Sequence, residues 1–154
     1  MKKNLFILFF LFFITQACEE ELYSPIPYAA VEITLDLYNL DSDLIPVLAT
    51  KSFLQPQGLA RKVGFGGVVV INGYGDDMAT NLYAYDLICP NESSISRDIR
   101  IVPNNDGTAT CPKCKAVYNL AYGRGLPQTG EKYPLKSYIV RKSANGINKY
   151  VIVN

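Results

Sequence analysis

Turn signals recur along this chain at intervals too short for helices, and that spacing limits what it can fold into. Asn72-Gly73, Asn104-Asn105-Asp106-Gly107 and Asn145-Gly146 each follow a short apolar or β-branched run. Asn-Gly and Asp-Gly favour the left-handed backbone of tight hairpins. Residues 30–37 alternate, with Val31, Ile33, Leu35 and Leu37 on one face and Glu32, Thr34 and Asp36 on the other, as a half-buried strand does. Val68-Val69-Val70-Ile71 is wholly β-branched, and the stiff χ1 of such residues suits a strand. Residues 82–88 form another expected strand. Residues 99–102 with 108–110, and 138–142 with 147–153, are expected hairpins. Residues 38–57 read mostly as loop, with one short helical turn limited by Pro46 and Pro56. No segment sustains a 3.6-residue period. The expectation is an all-β sandwich or small barrel. Eleven tyrosines and no tryptophan agree with it, because tyrosine favours strands and keeps its hydroxyl wet at a sheet edge.

The N-terminus reads as an export signal. Lys2 and Lys3 precede an unbroken apolar run over 5–14. Ten helical residues reach about 15 Å, half of a hydrocarbon core of about 30 Å, so the run is too short to span. Thr15-Gln16-Ala17-Cys18 resembles a bacterial lipobox, which implies cleavage before Cys18 and lipid attachment to it. The expected organisation is a signal peptide over 1–17, a lipid-anchored tether over 18–28 and one β domain over 29–154. Glu19-Glu20-Glu21 is either a solvated tether or resembles the acidic export signal of surface lipoproteins in Bacteroidetes-type bacteria. The anchor implies the bacterial cell envelope, most naturally the outer membrane, with the membrane itself as first partner. Fifteen Lys and Arg less the two of the signal leave 13 basic against 14 acidic residues. That balance gives no electrostatic reason to expect nucleic acid.

The chemistry concentrates in Cys89-Pro90-Asn91 and Cys111-Pro112-Lys113-Cys114. Together they have the layout C-x-H followed by C-x-x-H, and the chain has no histidine. Residues 66–140 resemble a Rieske [2Fe–2S] ferredoxin-type domain. Leu82-Tyr83-Ala84-Tyr85-Asp86 before Cys89-Pro90, Gly107 before the strand into Cys111, and Tyr118-Asn119-Leu120 carry the resemblance. So do Gly123 or Gly125, Pro127, Gly130, Pro134-Leu135 and Tyr138. It implies a Rieske-like antiparallel sandwich or small barrel in which two ligand loops face each other. Cys89 and Cys111 match the family's thiolates. Asn91 stands at one lost histidine position and Cys114 at the other, with Lys115 where a glycine usually follows. An amide is a poor iron ligand, and imidazole ligation is what raises the potential of a Rieske centre.

Three readings of the cysteines stay open. The first is a cofactor-free scaffold in which two of Cys89, Cys111 and Cys114 form a disulfide. Cys89 paired with either of the others would close a loop of over twenty residues, worth about 3 kcal/mol. The second is metal, as a Cys-ligated [2Fe–2S] cluster or as zinc. For zinc the fourth ligand would be water, a carboxylate or Asn91. The third is thiol–disulfide exchange, because Cys-Pro-Lys-Cys resembles the glutaredoxin dithiol. That motif needs a following helix, which Gly123, Gly125 and Pro127 forbid. Without histidine there is no Ser–His–Asp or Cys–His pair. The expectation is a non-enzymatic accessory or binding domain without a cofactor, against an electron-transfer protein or a zinc-binding domain. Asp76-Asp77 reads as a solvated turn rather than a calcium site. Gly64-Phe65-Gly66-Gly67 reads as loop geometry rather than a phosphate loop.

Overall fold

Val68, Val69, Val70 and Ile71 are all fully buried, which a strand with one wet face does not allow. The reason is that their strand separates two cores. Val68 and Val70 pack with Val31, Ile33, Leu35, Ala84 and Ile152. Val69 and Ile71 point the other way, onto Tyr85, Leu87, Ala109, Tyr118 and Leu120. Side chains alternate between faces along a strand, so a run of four β-branched residues supplies two to each core.

The computed structural model describes residues 22–75, 81–92, 94–129 and 131–154. The signal segment, Cys18, Glu19-Glu20-Glu21, Asp76-Asp77 and Gly130 lie outside the described residues. The strands are β1 (Val31–Asp36), β2 (Thr50–Phe53), β3 (Ala60–Val63), β4 (Val68–Asn72), β5 (Leu82–Asp86), β6 (Val102–Pro103), β7 (Thr108–Thr110), β8 (Val117–Asn119), β9 (Ser137–Lys142) and β10 (Lys149–Val153). One 3-10 turn, Ser42–Leu44, precedes β2. Seven strands form a nearly closed antiparallel sheet in the order β2-β4-β5-β9-β10-β1-β3, and β6-β7-β8 form a small second sheet. The protein is all-β, as its turn spacing predicts. Among the described residues no helix is long and apolar enough to cross a membrane.

Several elements depart from the expectation. Residues 50–53 were expected as loop and form β2, an edge strand whose pairing partner is β4, with Thr50 opposite Ile71. Among the described residues β3 pairs with β1 alone of the strands, and the register shifts between Glu32 and Ile33. Asn72-Gly73 does not make a tight turn. Asn72 is still paired with Leu82, and the Gly73 N–H reaches the Asn81 carbonyl at 2.8 Å across a longer loop. Glycine is needed there because a Cβ would sit 2.2 Å from the Ala121 carbonyl oxygen. The 104–107 turn matches its expectation. Gly107 has φ +83°, and Asp106 Oδ1 accepts from the Thr108 N–H at 3.0 Å.

Candidate metal centre

β5 runs on through Leu87 and Ile88 to Cys89, and β7 ends directly before Cys111. Both cysteines are fully buried, in the core cluster that holds Tyr85, Leu87 and Tyr118. The second loop folds back tightly after Cys111. The Lys115 N–H reaches the Cys111 carbonyl at 3.1 Å, and the Cys111 N–H reaches the Ala116 carbonyl at 2.8 Å. Closing this turn puts Lys115 at φ +65°, a left-handed conformation that costs a non-glycine residue about 1–2 kcal/mol. It also brings Cys114 back over Cys89, with Sγ to Sγ at 3.6 Å.

The structure therefore brings Cys89, Cys111 and Cys114 together, all as free thiols. A fourth group joins them. Glu92 Oε1 accepts from Cys111 Sγ at 3.4 Å, and Oε2 pairs with Lys113 Nζ at 2.8 Å. One ligand atom from each of Cys89, Glu92, Cys111 and Cys114 lies within 4.8 Å of every other. The Glu92 side chain is 5% exposed while Lys113 is 56% exposed, so the carboxylate belongs to the cluster and the ammonium covers it. The ion pair with Lys113 holds the Glu92 carboxyl below its usual range and raises Lys113 in turn. Burial pushes the Cys89 and Cys114 thiols up. A coordinated cation reverses that order, because a metal-bound thiol is deprotonated outright.

Sequence reading missed Glu92. The signal was a repeat: Cys89-Pro90-Asn91-Glu92 has the same spacing as Cys111-Pro112-Lys113-Cys114, with a carboxylate at the place of the second thiol.

Asn91 has a different task. Its Nδ2 donates to Tyr118 Oη and to the Tyr133 carbonyl, each at 2.8 Å. Its Oδ1 accepts from the Lys132 and Tyr133 N–H groups at 3.2 and 2.9 Å. An amide offers two donors and two lone pairs, so every position is spent. The residue at the lost histidine position staples the first loop to residues 132–133. It also sets a neighbour. Because Nδ2 can only donate, Tyr118 Oη accepts from it, which leaves the hydroxyl proton available to Cys89 Sγ, 3.3 Å away. That O–H is placed to stabilise a thiolate.

A Rieske centre holds one of its irons through two imidazoles. Here no imidazole exists, Asn91 is fully occupied, and the four donors crowd about one point. These residues do not fit that group.

The fold and site define an all-β domain carrying a compact cluster of three thiols and one carboxylate on two facing loops. No family model and no curated protein matches the chain. Among solved structures it is similar to the ferredoxin of carbazole 1,9a-dioxygenase from Nocardioides aromaticivorans IC177. The identity is 15%, the match covers 78% of this chain and 96% of that one, and the TM-score is 0.43. At that distance the chemistry has to be read from this chain's own side chains.

Proposed function

We propose that this chain is a non-enzymatic, lipid-anchored envelope domain on a Rieske-like scaffold, and that its two loops bind a metal through Cys89, Cys111 and Cys114. The observation that carries the reading is the convergence of three sulfurs from two separate loops onto one point. Three unlinked thiols converging from two loops in a disulfide-permissive compartment are the donor set a soft metal ion takes. Metal binding displaces the thiol protons, so affinity rises with pH. Metal and acid-labile sulfide are to be measured on protein purified anaerobically. About one equivalent of metal per chain is expected. No metal after growth in metal-replete medium would leave a cofactor-free scaffold. Iron with acid-labile sulfide would redirect the reading to electron transfer.

The short apolar run over 5–14 and the lipobox-like Thr15-Gln16-Ala17-Cys18 support the envelope part of the reading. Cys18→Ala is expected to release the protein from carbonate-washed membranes. Retention of that variant would remove the lipid anchor from the proposal.

A further inference from the structure

Given a metal held by the three cysteines, we propose that Glu92 is its fourth ligand and that the centre is a single tetrahedral S3O site for a zinc-class divalent ion, with Lys113 as its counter-charge.

The distances carry the nuclearity. A zinc–sulfur bond of about 2.3 Å with tetrahedral angles sets two ligating sulfurs about 3.8 Å apart, and a zinc–oxygen bond of about 2.0 Å sets sulfur and oxygen about 3.5 Å apart. Cys89 and Cys114 stand at 3.6 Å, and Cys111 and Glu92 at 3.4 Å. Those two pairs use each of the four atoms once, as opposite edges of one tetrahedron do. The widest separation in the set is within 4.8 Å. Closing onto one ion therefore moves a sulfur–sulfur pair by at most about 1 Å and a sulfur–oxygen pair by at most about 1.3 Å. Two irons bridged by sulfide would instead need the donors in two pairs, with the pairs held well apart.

The donors select the ion. Three thiolates suit zinc, and a set with one carboxylate oxygen excludes the hard, oxygen-only preference of magnesium and calcium. Three thiolates and one carboxylate around a divalent ion leave a net charge of −2. Lys113 Nζ sits 2.8 Å from Glu92 Oε2 and offsets one of those charges while leaving Oε1 for the ion. The Tyr118 hydroxyl on Cys89 Sγ, held by Asn91, supplies the outer hydrogen bond that ligating groups normally have. Four protein donors leave no open coordination position, which makes the ion structural rather than catalytic.

The test is an anaerobic cobalt titration of the metal-free chain, followed by competition with zinc. The wild type is expected to take up one equivalent of cobalt, with sulfur-to-cobalt charge transfer and the intense ligand-field bands of a tetrahedral ion, and zinc should displace it. Loss of an outer-shell partner costs about 10–100-fold in affinity; Glu92→Gln replaces a direct ligand and is expected to weaken zinc by about 100-fold or more and to shift the ligand-field bands. Lys113→Met should weaken it by about tenfold. Glu92→Cys keeps four donors and is expected to restore tight binding with stronger charge transfer. Circular dichroism of each variant reports whether the fold is retained. Unchanged zinc affinity and cobalt spectrum in Glu92→Gln would overturn the ligand assignment and leave the metal reading standing. Iron with labile sulfide in the wild type would overturn the single-ion centre. A wild type that takes up no metal at all would overturn the metal reading itself.

Discussion

Replacing Asp86 with alanine is expected to destabilise the protein by about 3–5 kcal/mol, because several buried donors lose their acceptor at about 1–3 kcal/mol each, less what relaxation recovers. Asp86 is fully buried at the end of β5. Its oxygens accept from the N–H groups of Phe65 at 2.9 Å, Gly66 at 3.2 Å and Ile88 at 3.0 Å, and from the Tyr138 hydroxyl at 2.7 Å. Alanine would leave these donors without their acceptor. The loop over 64–67 would then lose its hold on β5 three residues before Cys89. Gly66 shows how close that packing is, since a Cβ there would fall 2.1 Å from the Ile88 side chain. The expected fall in melting temperature is about 10–20 °C, read by circular dichroism at the sheet band. An unchanged midpoint would mean that the loop is held by something other than this carboxylate.

The second large effect is redox-dependent. Stripped of metal and treated with diamide, which takes up the two thiol hydrogens, the chain is expected to join Cys89 to Cys114. Their sulfurs stand 3.6 Å apart, while Cys111 is held by Glu92. One free thiol should remain among the three, and peptide mapping should place it at Cys111. A loop of 25 residues is worth about 3.5 kcal/mol in chain entropy, so the oxidised protein should resist urea better than the reduced, metal-free form. It should also fail to take up metal until reduced, because two of its donors are consumed. Recovery of a Cys111–Cys114 bridge, or of three free thiols, would contradict this account. On that outcome the disulfide scaffold and the metal centre, rivals in the sequence reading, would be two states of one cluster.

The β class was legible because its signals are local. Alternation over 31–36 and the turn chemistry at 104–107 act within a few residues, and local steric rules read them. The cysteines were legible for the same reason, since their motifs are contiguous. β2, β3 and β8 were not legible. They are short, all three are sheet edges, and only their partners make them strands. The same holds at the site. Asn91 and Glu92 are adjacent, and nothing local says that one staples the loops while the other turns to the sulfurs. That division depends on Tyr118, Lys132 and Tyr133 arriving from far along the chain to use up the amide, and on Cys111 and Lys113 arriving to claim the carboxylate. Sequence by itself determined the strands with their own alternation and which thiols were available. Tertiary structure decided what those thiols face, because a ligand set is a matter of distance between residues that only folding brings together.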